Sequence, residues 1–164
     1  MHEYNNGCRY EGQWRGNQRH GHGIFKWPSG SVYTGEFNND RRHGDGRMQY
    51  ADGSEYEGPW RNDARSGRGK FTWKDGAGVY EGDFLDDQMH GEGRLKWASG
   101  AEYSGSWRYN KKMGQGFMLY RDKSTYKGQW KDDVRNGEGV MNWPQGTRYD
   151  GDFVDDVKHG HGLY

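Results

Sequence analysis

Tyr10-Glu11-Gly12-Gln13-Trp14, followed after five residues by His20-Gly21-His22-Gly23 and then by Phe25-Lys26-Trp27, decides the fold, because nearly everything else in the chain repeats it. Its first half recurs as Tyr33/Gly35/Phe37, Tyr56/Gly58/Trp60, Tyr80/Gly82/Phe84, Tyr103/Gly105/Trp107, Tyr126/Gly128/Trp130 and Tyr149/Gly151/Phe153. The second half keeps the same offset, from Gly44/Gly46 through Gly67/Gly69, Gly91/Gly93, Gly114/Gly116 and Gly137/Gly139 to Gly160/Gly162. The step is 23 residues, with a single 24. A fixed period of this length is the mark of a stacked array in which each copy buries its apolar face against the next.

Composition sets the limits. Only 30% of the 164 residues are hydrophobic, too few for an ordinary globular core, yet there are eight Trp, twelve Tyr and six Phe. Disordered chains are poor in aromatics, so periodic rings in a polar background predict an ordered chain held by aromatics. The charges cancel, 24 basic against 24 acidic, which gives no footprint for nucleic acid. A single cysteine, Cys8, excludes an intrachain disulfide framework. No apolar run is long enough for a signal sequence or a membrane helix, and the expected setting is cytoplasmic. Positions 2, 4 and 7 stand where Phe25, Trp27 and Gly30 stand in the next copy, and Tyr164 falls at the Phe25 position. The chain therefore opens and closes in mid-copy; either the gene begins and ends there or, the favoured expectation, the chain is cut from a longer array.

Alternation gives the local structure. Tyr10, Gly12 and Trp14 share one face of a strand, and Gly21, Gly23, Phe25 and Trp27 share one face of the next. A glycine inside a strand leaves a flat gap over which a neighbouring ring can lie. The other face carries Glu11, Glu36, Glu57, Glu81 and Asp83 on first strands, and Lys26, Arg47, Arg68, Lys70, Arg94 and Lys96 on second strands. Such opposite charges pair across strands. The five residues Arg15 to Arg19, and their equivalents Asn38 to Arg42 and Lys131 to Arg135, read as the loop of a β-hairpin. Pro28-Ser29-Gly30, Ala51-Asp52-Gly53 and Pro144-Gln145-Gly146 read as turns between hairpins. The expected fold is all-β, an antiparallel meander whose core is a stripe.

Tyr-x-Gly-x-Trp/Phe, a short polar loop, His/Asn-Gly-x-Gly, two further apolar positions and a turn glycine, at a 23-residue step, resemble the MORN repeat (membrane occupation and recognition nexus). The resemblance covers essentially the whole chain: a partial copy over 1–9, then copies at 10–32, 33–55, 56–79, 80–102, 103–125, 126–148 and 149–164. Departures are local. An extra residue sits near Gly76-Ala77-Gly78, Lys123-Ser124 replaces a turn glycine, and Ser66, Met113 and Asn136 replace the loop histidine. The resemblance implies an elongated, twisted, single-layer antiparallel sheet of stacked hairpins, a MORN-repeat solenoid about 65–70 Å long at a strand spacing of about 4.8 Å. It also implies scaffold or tethering roles: cytoskeletal scaffolds, myosin-tail binders, membrane tethers, or arrays attached to lipid kinases and methyltransferases.

The remaining constellations are weak as chemistry. The Gly-x-Gly pairs lack the Gly-Lys-Ser/Thr ending and helix of a phosphate loop. His20/His22 and His159/His161 would supply half of a zinc site with no third ligand nearby in sequence. Asp86/Asp87, Asp132/Asp133 and Asp155/Asp156 recur at one loop position, as turn residues do, and Cys8 has no recurring histidine partner. The expectation is no enzyme, no cofactor and no metal.

Three candidate surfaces remain. Phe117, Leu119, Val140 and Leu163 lie on the normally charged face of the last copies and predict an apolar patch for self-association as a homodimer. The doublets Arg41/Arg42 and Lys111/Lys112 are candidate contacts for anionic phospholipid. The stripe of Tyr10, Trp14, Tyr33, Phe37, Tyr56, Trp60, Tyr80, Phe84, Tyr103, Trp107, Tyr126, Trp130, Tyr149 and Phe153 is expected to stay partly open as a groove for a helical or cytoskeletal partner. The leading expectation is a self-associating structural scaffold at the cytoskeleton. A phosphoinositide-binding module at the membrane periphery and the targeting array of a larger enzyme are the alternatives.

Overall fold

A computed structural model describes residues 1–163. Strands make up almost all of its regular structure, and the one helical element among the described residues is a 3-10 turn at Lys74–Gly76, where the extra residue of the third copy is absorbed. The chain forms two compact units, 1–87 and 88–164. In the first, β1 (His2–Glu3), β2 (Arg9–Arg15), β3 (Gln18–Lys26), β4 (Val32–Asn38), β5 (Arg41–Gln49), β6 (Glu55–Arg61), β8 (Gly67–Thr72) and β9 (Gly78–Leu85) pair antiparallel in chain order, with the short β7 (Ala64–Arg65) also paired to β6. In the second, β10 (Gln88–Trp97), β11 (Glu102–Arg108), β12 (Lys111–Leu119), β13 (Thr125–Lys131), β14 (Val134–Asn142), β15 (Arg148–Val154) and β16 (Val157–Leu163) do the same. Each unit is an open meander of hairpins, as the alternation predicted.

The hairpin loops are shorter than the sequence implied. Strands continue to Asn38 and resume at Arg41, so two residues turn the chain instead of five. Both turn residues have positive φ, 48° and 69° at Asn39/Asp40 and 46° and 68° at Asp86/Asp87. That geometry twists with the flanking strands and favours Asn and Asp, which explains the recurring loop acids.

The two glycines of each Gly-x-Gly pair have different tasks. The first, such as Gly44 at φ 60°, stands on the bulged side of a register shift opposite Gly35 and Phe37. The second, Gly46, lies directly beneath Tyr33, so that a Cβ there would occupy the phenol ring. Tyr33 lies flat over the Gly35–Gly46 pair and its hydroxyl donates to the Glu36 carbonyl at 2.9 Å. The same bond recurs from Tyr10 to Gln13, Tyr56 to Pro59, Tyr80 to Asp83, Tyr103 to Ser106, Tyr126 to Gln129 and Tyr149 to Asp152. The Gln13, Glu36, Ser106 and Gln129 carbonyls lie where the register shifts, and the phenol hydroxyl supplies there a donor that a phenylalanine would lack.

Candidate functional site

The aromatic stripe is a closed core. Tyr33 meets Phe37, four residues on, at 5.1 Å and Trp60 of the next copy at 5.4 Å, both edge to face. The pattern continues through Tyr56–Phe84, Tyr103–Trp130 and Tyr126–Phe153. Edge-to-face pairs add about 0.5–1.5 kcal/mol each beyond their area. Of the fourteen residues expected to line a groove, Tyr10, Tyr33, Phe37, Tyr56, Trp60, Tyr80, Phe84, Tyr103, Trp107, Tyr126, Trp130, Tyr149 and Phe153 are buried, and Trp14 alone is open, at 42% exposure. They bind each other, and the expectation of an open stripe is corrected.

The reason is a bend in the strands. The guanidinium of Arg19 lies 4.7 Å from the Phe25 ring, six residues farther along β3. A straight strand would hold their α-carbons about 20 Å apart. Gly21, at φ 69°, bends the strand and folds the hairpin tip over the rings. Sequence periodicity reports which face a residue takes but not the curvature of the strand that carries it.

The folded-over tips build a ladder. The Arg19 backbone N–H and Nε donate to Asp40 Oδ1 at 2.9 and 3.1 Å, and its Nη2 donates to the Asp40 carbonyl at 2.7 Å. Arg42–Asp63, Arg65–Asp87 and Arg135–Asp156 repeat the arrangement. The arginines also lie over rings, Arg42 at 4.3 Å from Trp60. Lys112 occupies the same place, 4.5 Å from the Trp130 ring, with its backbone N–H on Asp133 Oδ1, and burial holds its ammonium below the usual lysine range. Met89 keeps only the backbone bond, to Asn110.

This ladder removes half of the candidate lipid contacts. Arg42 and Lys112 are turned inward as clamps, so the basic doublets are not pairs of free cations. Arg41 and Lys111 point outward, and Lys111 lies 3.6 Å from Asp132. On the opposite face, Phe117 is 39% and Leu163 79% exposed, whereas Leu119 and Val140 are half-buried. They do not merge into one apolar patch. The cross-strand row reads Phe117, Lys127, Val140, Asp150, Leu163, with a charge between each apolar pair. Cys8 is buried. No group of three metal-ligating side chains gathers among the described residues. No helix among them is long and apolar enough to cross a membrane.

Sequence reasoning put Trp27 on the aromatic face but left its row of rings out of the candidate site. Trp27, Tyr50 and Trp73 in the first unit, and Trp97, Tyr120 and Trp143 in the second, end their strands half-buried. Trp27 packs on Phe25 at 4.6 Å, and Trp73 on Phe71 at 4.8 Å. Between Trp27 and the first two rungs of the ladder lies a slot. Around Trp27 it has a volume of about 190 Å³ and is lined by Phe25, Phe37, Arg19, Asp40, Arg42 and Asp63. Tyr50 stands in the same relation to Arg65 and Asp87, whose charges act on its phenol, while burial raises its pKa. The copy period in aromatics at position 27 was the signal available for this row.

Comparison with known proteins agrees with the architecture. No curated protein matches the chain. Among solved structures, the TCP domain of Drosophila melanogaster SAS-4 (dCPAP), in complex with a proline-rich motif of Ana2 (dSTIL), is similar at 16% identity and a TM-score of 0.50, over 80% of this chain and 72% of that one. The TCP10 domain of Danio rerio CPAP, in complex with a STIL peptide, gives 8% identity and 0.46, over 87% and 67%. The likeness to the SAS-4 domain concerns the fold alone. The MORN repeat model matches residues 10–32, 33–55, 56–78, 80–102, 103–125, 126–148 and 149–164. The chain belongs to the MORN-repeat family.

Proposed function

We propose that this array is a non-catalytic protein-interaction scaffold whose working surface is the slot between the half-buried outer rings and the Arg–Asp ladder. The observation that carries this reading is the cavity at Trp27, where rings, carboxylates and guanidiniums converge on open space. Three rings beside two Arg–Asp pairs suit a peptide better than a small reactive substrate. That the similar SAS-4 domain was solved with a peptide segment is in keeping with it. The test is selection of a displayed random-peptide library on the full chain, followed by rebinding to a Trp27→Ser/Tyr50→Ser double variant. Peptides that bind the parent and lose the variant support the reading; binding indifferent to both substitutions overturns it.

Self-association is a second reading, favoured by one observation. Read in reverse, the row Phe117, Lys127, Val140, Asp150, Leu163 is complementary to itself. A twofold axis at Val140 would set Phe117 against Leu163 of the partner and Lys127 against Asp150 of the partner. A twofold contact requires this self-complementarity. Light scattering across a concentration series tests it. A dimer that Lys127→Asp breaks and Lys127→Asp/Asp150→Lys restores supports it, and a monomer throughout refutes it. The cytoskeletal setting implied by the family accords with a scaffold of this kind. Phospholipid binding would rest on Arg41 and Lys111 alone, worth about 1 kcal/mol each at an anionic surface.

A further inference from the structure

The ladder is electrostatically lopsided. The clamp arginines are sunk, with side chains 19%, 21% and 18% exposed at Arg19, Arg42 and Arg65, whereas their partners Asp40, Asp63 and Asp87 stand 43%, 50% and 52% exposed. All the side-chain hydrogen bonds to these aspartates fall on Oδ1. Asp40 and Asp63, which line the slot at Trp27, therefore each keep an Oδ2 that takes no side-chain hydrogen bond, and Asp87 repeats this on the next copy.

The spacing of those rungs selects a ligand conformation. Successive copies are two strands apart, about 9.6 Å. A polyproline II segment advances about 9.3 Å in three residues and returns to the same face after each turn. An α-helix needs about 6.4 residues to cover 9.6 Å and arrives nearly a quarter turn off face. An extended strand covers it in about three residues but presents opposite sides at alternate rungs. Polyproline II alone offers the same side chain to every rung.

We infer that the slot of the first unit recognises a polyproline II segment of a protein partner that carries Arg or Lys at every third residue, the intervening prolines lying on Trp27, Tyr50 and Trp73 and the cations reaching Asp40, Asp63 and Asp87. Proline rings stack on aromatic faces and bring little conformational entropy to lose, and an arginine fork suits a carboxylate oxygen that another guanidinium has left open. This rests on the scaffold reading above and specifies its partner.

The experiment titrates the full chain with the twelve-residue peptide (Arg-Pro-Pro)4, following tryptophan fluorescence and heat. Controls are a peptide of identical composition with its arginines at alternating spacings of two and four, (Ser-Pro-Pro)4, and an amphipathic Leu/Lys helix. The expected result is saturable binding by the first peptide and at least tenfold weaker binding by each control. Raising salt from 50 to 500 mM should weaken binding several-fold. Asp63→Asn keeps Oδ1 for the Arg42 clamp, so it tests the contact with the fold intact, and a five-fold or greater loss is expected. Trp27→Ala should lose as much, and Thr34→Ala, exposed on the charged face of β4, nothing. Equal affinity for the respaced peptide, indifference to Asp63→Asn, or a preference for the helix would each overturn the inference. Library selection separates the two levels: Trp27-dependent peptides without the Arg-Pro-Pro period leave the scaffold reading standing, and no Trp27-dependent peptide at all removes both.

Discussion

At the scale of single residues, the array depends on glycines that are required for different reasons. Gly46 has ordinary backbone geometry but no room, because its Cβ would enter the Tyr33 ring; Gly30 has open space but φ of 97°. Gly46→Ala forces the ring off its seat and breaks its hydrogen bond to Glu36, an overpacking cost of about 1–3 kcal/mol. Gly30→Ala incurs only the left-handed backbone cost of about 1–2 kcal/mol. Urea melts should therefore show a loss in both, with ring exposure, read as increased near-ultraviolet tyrosine disorder, in Gly46→Ala alone. Lys123 takes the turn position at φ 72° that glycine fills at 7, 30, 53, 100 and 146, so the fifth copy accepts backbone strain that those turns avoid.

At the scale of the hairpin, the clamp between successive copies is the unit of cohesion. It ties residue i to the turn residue of the next hairpin by two backbone bonds: Arg42 accepts from Asp63 N–H at 3.0 Å and donates to its carboxylate at 3.0 Å. Where arginine is present, a guanidinium adds two more. Lys112 cannot supply that fork, and it loses solvation without gaining the bidentate bond. Lys112→Arg should reproduce the Arg135–Asp156 geometry and raise stability by about 0.5–1 kcal/mol. A thermal melt in which the variant is no more stable than the parent would contradict this account of the clamp. The sequence showed a basic residue at the end of every loop except the fourth, where Met89 stands, but a five-residue loop left its partner unidentified. The two-residue turn, seen only in the fold, puts the aspartate within its reach.

At the scale of the whole molecule, the core is a row of phenols, and that makes stability depend on alkaline pH. Burial raises Tyr33, Tyr56 and Tyr103 well above the usual phenol range, and Tyr126 to about 12. An unfolded phenol ionises near a pH of about 10. Below that value both states are protonated and the stability is intact. Above it the unfolded chain releases protons that the folded one retains, so stability is lost as pH rises. Tm should be flat from pH 7 to 9 and fall steeply between pH 10 and 12, with tyrosinate absorbance from the buried rings appearing only as structure is lost. Ionisation of those rings ahead of unfolding would show that they are more open than the packing implies.

Fold and family were legible because they follow from local patterns repeated seven times: the period, the alternation of faces, and a glycine wherever a ring must lie flat. The rings of the core were identified correctly, but as an open groove, because alternation carries no information about curvature. Only the tertiary structure shows β3 bent at Gly21 and the hairpin tip closed over Phe25. The same folding turned Arg42 and Lys112 from loop cations into clamps, and placed Lys127 and Asp150 between apolar residues that looked contiguous in the sequence. The candidate slot exists only once tip and margin meet, since Trp27 and Asp63 are 36 residues apart and no periodicity relates an aromatic position to a turn position. The sequence determined which residues repeat and which face they take; the bend of the strands decided which of them are covered and which are left to meet a partner.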